Sequence, residues 1–311
     1  MCASTLNDVD CAIVGAGVAG LTAALYLARF RRNVLVIDGG QSRASWIPEI
    51  HNYPGLVGLS GQQFLQNLRH QAVRYGADVQ PGKVRQIGRS GNGFVVETGS
   101  GSIHAANILV ASGMEDALPN IVNPEDAVRG ARLCFCPICD GYEAIDREIA
   151  CLINPDTVDH ALFLRTYTAR LTALVSTKNG SGLTDCQKRV LQEASIELVD
   201  VDFKIRIHAD HALIQLENGQ TRIFDALYCL IGSVPGNEFL RQVSPEMDGS
   251  GKIITDAHQQ TSISGLYAAG DVTAGLCQIA VATGEGAIAA SHIHAQLASI
   301  PAECQPDRHY K

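Results

Sequence analysis

A glycine-rich turn near the start of the chain most constrains its fold. A short apolar run at residues 9–14 is followed by GAGVAG at residues 15–20 and then by residues 21–30, whose apolar side chains recur at helical spacing. A second apolar run ends in Asp38. This order predicts a βαβ unit of about 30 residues, in which the glycines let a pyrophosphate approach the helix N-terminus.

The rest of the chain continues an α/β pattern. Ser60 and Gln63 form a capping box ahead of a helix that we expect to end near Arg74. Residues 83–110 alternate in short runs, which predicts an antiparallel meander. Residues 148–176 then read as strand, helix and strand, with the helix including residues 161–169, and residues 201–231 predict a second meander. The two halves therefore share one plan.

Length, charge and hydropathy exclude several classes of protein. A chain of 311 residues is long enough to form two domains. The formal charge is −8 and the basic residues are not clustered, so we expect no nucleic-acid partner. No apolar run reaches the roughly 20 residues that span a bilayer, and the N-terminus has no signal-peptide pattern. We therefore expect no membrane association and a cytoplasmic location.

A cysteine pair stands out among the ten cysteines of the chain. Cys136 and Cys139 are separated by two residues and can close a small disulfide ring whose thiols exchange with other disulfides. A zinc site would need a second pair of ligands at suitable spacing, and none follows, so we expect no metal. Cys134 is interpreted as a packing residue or a resolving thiol. The remaining cysteines have no pairing pattern and are expected to be packing or surface residues: Cys2, Cys11, Cys151, Cys186, Cys229, Cys277 and Cys304.

A third motif, GLYAAGD, lies at residues 265–271 and precedes a helix expected from about Gln278 to Leu297. A strand that ends in glycine and a carboxylate suits a hydroxylated cofactor chain. The helix is rich in Ala and Gly, which is typical of close packing against a neighbouring helix or a cofactor.

In their order and spacing, GAGVAG, CPICD and GLYAAGD resemble the low-molecular-weight thioredoxin reductase family of flavoproteins. The resemblance extends over nearly the whole chain. It implies an α/β fold with two Rossmann-like three-layer ββα domains. The FAD-binding domain would be discontinuous, from residues 1–115 and 246–311, and residues 116–245 would form an inserted dithiol domain. The resemblance, together with the apolar C-terminal helix, also implies a homodimer.

The same resemblance implies roles for individual residues. Asn52 and Gln278 would lie near the isoalloxazine of FAD, and Asp271 would bind its ribityl chain. The full set expected to bind the cofactor is Gly15, Gly17, Ala19, Gly20, Asp38, Gly39, Asn52, Ala111, Gly113, Gly270, Asp271, Gln278 and Ile279.

The catalytic residues implied by the resemblance are Cys136, Cys139 and Asp140. Cys139 would be the thiol nearest the flavin, and Cys136 the thiol that attacks the partner. Asp140 would donate and accept the proton of the exchange.

The chain departs from the family where NADPH would bind. Residues 154–160 read NPDTVDH and contain no glycine. Pro155 lacks an amide donor, and Asp156 and Asp159 place negative charge where a phosphate would sit. Residues 176–180 read STKNG in place of the family's His-Arg-Arg cluster. These changes predict a pyridine-nucleotide-independent branch of the family, of a diflavin-linked or ferredoxin-linked type.

The residues of the chain are consistent with several functions. The dithiol could reduce a disulfide in a protein or small molecule, with electrons from an unidentified donor. The same flavin and dithiol could work in reverse as an oxygen-linked dithiol oxidase. Oxidase relatives often carry His at the position of Asp140, so Asp140 favours the reductase. A divergent loop could still bind NADPH, and a flavin-carrying sensor without turnover is a further alternative. A basic surface for an acidic carrier would use Arg69, His70, Arg74 and Lys83.

Loss of NADPH binding would leave one face of the isoalloxazine uncovered. An aromatic group should cover this face because stacking buries a large apolar area. The candidates are a second, stacked FAD and the tail residues His309 and Tyr310. An open face is the remaining possibility.

Overall fold

The computed structural model describes residues 8–176 and 182–299. Expectations that involve Cys2, Cys304, His309, Tyr310 and residues 177–180 lie outside this range. Contacts divide the described chain into two compact units. The first contains residues 8–45, 60–115 and 234–299, and the second contains residues 46–59, 116–176 and 182–233. This division differs from the expected boundaries in residues 46–59 and 234–245.

The first unit begins with the predicted βαβ order. Its elements up to the first connection are β1 (Asp8–Val14), α1 (Val18–Arg29), β2 (Val34–Asp38), α2 (Gly61–Arg74), β3 (Asp78–Pro81), β4 (Val84–Ser90), β5 (Gly93–Thr98) and β6 (Ser102–Val110). Strands β3, β2, β1 and β6 are parallel neighbours in that order, and β5 and β4 continue the sheet antiparallel to β6. The capping box of Ser60 and Gln63 and the antiparallel meander are confirmed.

The second unit follows a short strand, β7 (Met114–Asp116). Its elements are α3 (Pro124–Arg129), β8 (Leu133–Cys134), α4 (Pro137–Asp140), β9 (Ile149–Ile153), α5 (Val158–Leu164), β10 (Leu171–Leu174), α6 (Asp185–Glu193), β11 (Glu197–Val199), β12 (Phe203–Ile207), β13 (Ala212–Leu216), β14 (Thr221–Phe224) and β15 (Ala226–Leu230). A parallel sheet has the order β11, β10, β9, β15, β8, and β12, β13 and β14 form the second predicted meander.

The helix expected to include residues 161–169 ends early. Helix α5 stops at Leu164 and a turn follows. The Thr168 hydroxyl donates to the Arg147 carbonyl at 2.6 Å, and the Arg165 guanidinium donates to the Ala194 carbonyl at 3.0 Å. A threonine that bonds backbone groups in a non-helical conformation competes with the helix, and this explains the early end.

The chain returns to the first unit through β16 (Ser233–Pro235), β17 (Leu266–Ala268) and α7 (Ile279–Gln296). Strand β16 pairs with β7, so the two connections form a two-stranded sheet, and β17 pairs in parallel with β6. A Cβ on Gly286 of α7 would lie 2.4 Å from the Ala19 carbonyl oxygen of α1. Only glycine allows this approach, so the predicted close packing of the C-terminal helix is confirmed, with α1 as the neighbour.

Both sheets carry buried apolar strands. In β9 the side chains of Ile149, Cys151 and Ile153 belong to one core, and those of Ala150 and Leu152 to the core on the opposite face. This is the pattern of a parallel strand covered on both sides. Burial raises the pKa of Cys151 to about 12, which agrees with a packing role. None of the helices in the described part of the chain has both the length and the apolar character that a bilayer span requires.

Candidate cofactor and dithiol sites

The glycine turn of the first unit lies at the carboxyl end of β1. Gly15 has a φ of +108°, and a Cβ there would lie 2.3 Å from the Ala111 carbonyl oxygen at the end of β6. A Cβ on Gly20 would lie 2.0 Å from the Gly15 carbonyl oxygen. Both positions therefore require glycine, because any side chain would separate α1 from the strands that it packs against.

The start of α1 is open to a ligand. Gly17 is its N-cap residue, in an extended conformation, and no side chain in residues 8–176 or 182–299 caps the helix. The atom nearest to a Cβ at Gly17 would be the Ser42 hydroxyl oxygen at 3.6 Å, so there is space above the first turn. Uncapped amides at a helix N-terminus are suited to bind a phosphate group.

Two carboxylates at this end of the sheet are held by arginines. Asp38, at the end of β2, accepts a hydrogen bond from the Gly40 amide at 2.8 Å and forms an ion pair with Arg69 of α2. Asp271 forms an ion pair with Arg43, with 3.2 Å between the carboxylate oxygen and the guanidinium nitrogen. The arginines fix the direction of both carboxylates, whose oxygens can accept hydrogen bonds from hydroxyl groups.

These residues fit the ADP half of FAD. The cradle combines close backbone approach, an uncapped helix start and an acceptor at the end of the second strand. Ser112 adds a buried hydroxyl oxygen that has no hydrogen-bond partner within the described residues. Its Cα would lie 3.2 Å from a Cβ on Gly15, so this orphaned group borders the cradle.

The other residues expected to bind the cofactor lie in both units. In the first unit, a Cβ on Gly270 would lie 3.0 Å from the Ala19 Cβ, so GLYAAGD approaches α1. Apart from the adjacent residues, no atom in the described part of the chain lies within 4 Å of a Cβ added to Gly39 or Gly113. Gln278 is the N-cap of α7 and Ile279 its first residue. Asn52 instead belongs to the second unit, where its side-chain amide donates to the Ile138 carbonyl at 3.4 Å.

The dithiol occupies the start of α4 in the second unit. Cys136 and Cys139 form a disulfide with their Cα atoms 5.3 Å apart. Cys136 is the N-cap residue, and its sulfur accepts from the Cys139 amide at 3.1 Å. Ile138 between them is 45% exposed. The short helix therefore holds the pair at bonding distance and leaves the turn between them accessible.

Asp140 follows the dithiol and is partly buried. Burial is the main cause that raises its pKa to about 6, the charge of Glu143 raises it further, and His51 opposes the shift. The buried Tyr228 donates its hydroxyl to the Asp140 backbone carbonyl at 2.7 Å, which fixes the end of α4. A carboxyl group that titrates near neutral pH can give and take protons during thiol exchange.

Cys134 lies in the core of the second unit. It is 8% exposed, and burial raises the pKa of its thiol well above the ordinary range. A buried neutral thiol is a poor nucleophile, so the structure favours the packing role over the resolving role.

A one-turn 3-10 helix at Pro155–Thr157 lies between β9 and α5 in the second unit, and the Asn154 side chain caps it. The Asn154 side chain accepts from the Asp156 amide at 3.0 Å, and the Asn154 amide donates to the Thr157 hydroxyl at 3.0 Å. The Asn154 side-chain amide also donates to the Ile231 carbonyl at 3.0 Å. The side chains of Asn154 and Thr157 therefore take up the amides of Asp156 and Asn154, whereas α5 itself, with Thr157 as its N-cap residue, has no side-chain cap among the described residues.

Sequence reasoning missed several partners of these sites. Arg43 and Tyr228 contact Asp271 and the Asp140 carbonyl from distant parts of the chain, and no local signal identifies them. Glu143 follows Asp140 by three residues, a helical spacing that could have revealed it. The sequence suggests Arg69 only as part of a basic surface, whereas in the structure it pairs with Asp38.

Comparisons with known proteins agree with this architecture. The sequence model of the pyridine nucleotide-disulphide oxidoreductase family matches residues 9–144 and 165–286. The chain is 32% identical over 301 residues to a thioredoxin reductase of Treponema pallidum, a match that covers 91% of this chain and 95% of the relative. It is 29% identical to a thioredoxin reductase of Streptomyces coelicolor, over 96% of this chain and 97% of the relative. The solved thioredoxin reductase of Streptococcus pyogenes has a TM-score of 0.84 at 25% identity, over 94% of this chain and 98% of that chain.

A dinucleotide cradle in one α/β unit and a redox disulfide in another are the combination found in flavin disulfide oxidoreductases, the class of enzyme to which this chain is assigned. Since the family match extends over most of its length, the chain belongs to the pyridine nucleotide-disulphide oxidoreductase family and is similar to thioredoxin reductases.

Proposed function

We propose that the chain moves electrons between FAD and the Cys136–Cys139 disulfide, and onward to a disulfide in a protein or small molecule, without NADPH or NADH as the donor. FAD, when bound, supplies a two-electron carrier. The residues that would hold it are the glycines of the first turn, with Asp38 and Asp271. The dithiol and Asp140 would carry out the exchange.

The capped loop after β9 is the observation that supports a donor other than NADPH or NADH. The amide of Asp156 is bonded to the Asn154 side chain, and the proline before it has no amide hydrogen. The side-chain amide of Gln187 adds a bond to the Pro155 carbonyl at 2.7 Å. A pyrophosphate that accepted from the Asp156 amide would have to displace the Asn154 side chain and would meet the Asp156 carboxylate, so binding at this loop should be weak.

The family match does not extend over the loop after β9. Its two segments leave out residues 145–164, which contain β9, this loop and α5. The other departure from the family, at residues 177–180, lies outside the described residues.

The exchange at the dithiol follows from thiol chemistry. The Cys136 thiolate would attack the partner disulfide, form a mixed disulfide and release one partner thiolate. Cys139 would then attack the mixed disulfide, restore the Cys136–Cys139 bond and release the second thiolate. Each released thiolate takes up one proton, which Asp140 would provide.

The proposal includes a homodimer and an electron donor other than a nicotinamide nucleotide. An acidic carrier protein and another flavin are the candidate donors. For the uncovered flavin face, a second FAD and the tail residues His309 and Tyr310 are the candidates, and the tail lies outside the described residues. The number of electrons that the holoprotein takes up from dithionite separates a second FAD from the tail.

Anaerobic mixing with reductants tests the proposal. We expect NADPH and NADH at micromolar concentration to leave the flavin absorbance of the holoprotein unchanged over minutes, because the loop after β9 does not offer a phosphate site. Dithiothreitol should bleach the same sample through the dithiol, which serves as the positive control. Rapid bleaching by either nucleotide would show an NADPH-dependent or NADH-dependent thioredoxin reductase instead. Fast bleaching by dithiothreitol followed by rapid reoxidation in air would favour the dithiol oxidase.

A further inference from the structure

Two tyrosines contact the end of the short helix that carries the dithiol. Helix α4 is only four residues long, and a helix of one turn is not stable by itself in water. Its conformation therefore depends on contacts with other parts of the second unit. Two such contacts come from Tyr228 of β15 and from Tyr167, which lies in the turn after α5.

Tyr228 is attached to both flanks of the dithiol segment. On the side before Cys136, its backbone is the register partner of Cys134 in the parallel pair of β15 and β8. On the side after Cys139, its hydroxyl donates to the Asp140 carbonyl at 2.7 Å. Tyr228 is 1% exposed, so water does not compete for this hydrogen bond. One buried residue therefore joins the chain before the dithiol to the chain after it.

Tyr167 supports the same end of α4 with its ring. A Cβ on Gly141, the C-cap residue of α4, would lie 2.4 Å from Tyr167 Cε2. This distance is far shorter than a van der Waals contact, so the ring packs directly against the Gly141 backbone, and only glycine allows this approach. The Tyr167 ring is itself in edge contact with the Phe163 ring of α5, with 5.9 Å between the centroids.

We propose that Tyr228 and Tyr167 are positioning residues that hold the two thiols of the reduced dithiol close together and thereby set its redox equilibrium. The inference deepens the proposed function, since it concerns the Cys136–Cys139 pair through which the electrons pass. It is independent of the electron donor and of the partner disulfide.

The two redox states depend on these contacts to different extents. In the oxidised state, the S–S bond itself keeps Cys136 and Cys139 together, with or without the tyrosines. In the reduced state that bond is absent, so the one-turn helix loosens once the tyrosine contacts are lost. A loosened segment gains conformational entropy and its two sulfurs meet less often, which makes the disulfide harder to close. Loss of either contact should therefore shift the equilibrium toward the dithiol.

Exchange with dithiothreitol measures this equilibrium. The two thiols of dithiothreitol lose two electrons and two protons and form a cyclic disulfide. The Cys136–Cys139 disulfide takes up the same two electrons and two protons and becomes two thiols. The S–S bond broken in the protein is thus replaced by one in dithiothreitol, and the equilibrium constant compares the stability of the two disulfides.

The test equilibrates the holoprotein anaerobically with graded ratios of reduced to oxidised dithiothreitol. Acid quenching, alkylation and mass spectrometry then report the reduced fraction of the Cys136–Cys139 pair, without reliance on the flavin absorbance. We expect Tyr228→Phe, which removes only the hydroxyl group, to shift the equilibrium constant about threefold to tenfold toward the dithiol. A tenfold shift corresponds to about 30 mV in reduction potential.

Tyr167 should act through its ring and not through its hydroxyl. Tyr167→Ala removes the ring from Gly141 and should shift the equilibrium in the same direction as Tyr228→Phe. Tyr167→Phe keeps the ring, so its equilibrium constant should stay within about twofold of the wild type. No shift in Tyr167→Ala, or an equal shift in Tyr167→Phe, would contradict the role given to the ring.

Tyr267→Phe is the matched control for Tyr228→Phe. Tyr267 is also 1% exposed and its hydroxyl oxygen lies 3.1 Å from His292 Nδ1, but it belongs to β17 of the first unit. The variant loses a buried tyrosine hydroxyl that has no part in the dithiol segment, so the equilibrium should stay within about twofold of the wild type. A shift as large as that of Tyr228→Phe would indicate a general loss of stability and would overturn the inference.

The wild type separates the inference from the function on which it rests. If its disulfide opens and closes with dithiothreitol, but Tyr228→Phe keeps the wild-type equilibrium or shifts it toward the disulfide, only the inference is wrong. If Tyr228→Phe shifts as expected while the flavin accepts no electrons from the dithiol, only the proposed function is wrong. A wild-type disulfide that opens at no ratio would contradict both.

Discussion

Cys136→Ser should abolish disulfide exchange, with a loss of at least about a thousandfold in turnover of any disulfide substrate. The variant lacks the sulfur that attacks the partner, and serine is a far weaker nucleophile at neutral pH. With FAD bound, the remaining Cys139 thiolate should appear as long-wavelength charge-transfer absorbance. Stopped flow for the turnover and a visible spectrum for the band give both readouts from one preparation.

Two further variants control this result. Cys139→Ser should also lose turnover, but it should lack the absorbance band, because the thiol assigned to the flavin is gone. Cys134→Ala removes a buried thiol that lies outside the disulfide and should keep turnover within about threefold of the wild type. A band in Cys139→Ser and none in Cys136→Ser would reverse the roles of the two cysteines. Unchanged turnover in Cys136→Ser would favour a flavin-carrying sensor over an enzyme.

Gly17→Asp should leave a folded protein that has lost most of its FAD. An aspartate at this position meets the requirements of an N-cap residue, since Gly17 has an extended backbone and space for a side chain. Its carboxylate would accept from the amides of the first turn and would repel a pyrophosphate at the same place. We expect the flavin content of the purified protein to fall by about tenfold or more. Absorbance after acid release measures the flavin.

Gly17→Ala is the matched control because it adds the Cβ without the charge. The nearest atom would be the Ser42 hydroxyl oxygen at 3.6 Å, so alanine fits and should retain most of the FAD. Circular dichroism and denaturant unfolding of the flavin-free proteins should show Gly17→Asp at least as stable as Gly17→Ala, since aspartate caps the helix and alanine does not. Full flavin content in Gly17→Asp would place the pyrophosphate elsewhere.

Local signals predicted most of the fold. The strand and helix periods around the glycine turn, the capping box before α2 and both meanders follow from neighbouring residues, and the structure confirms them. The predicted end of α5 was wrong. The bond from the Thr168 hydroxyl to the Arg147 carbonyl, which helps to end the helix, joins residues 21 positions apart. An interaction at that distance along the chain leaves no periodic signal.

Some features of the candidate sites could likewise be predicted from neighbouring residues, and others could not. The dithiol and the glycines could be found because their chemistry depends on spacing within a few residues. The pairing of Arg43 with Asp271 spans 228 positions, and the placement of residues 46–59 with the dithiol segment depends on tertiary packing. The absence of glycine after β9 was visible in the sequence. The bonds that the Asn154 side chain and amide form in this loop required the structure.

Anaerobic titration of the holoprotein with dithionite tests the central claim most directly, because it counts the electrons that the flavin and the Cys136–Cys139 disulfide accept together. A disulfide and a flavin each take two electrons, so the wild type should take up about four electrons per chain with one FAD and about six with a second, stacked FAD. Cys136→Ser should take up about two fewer in either case. A wild-type uptake that equals the flavin alone would contradict the account, since the disulfide would then not exchange electrons with FAD.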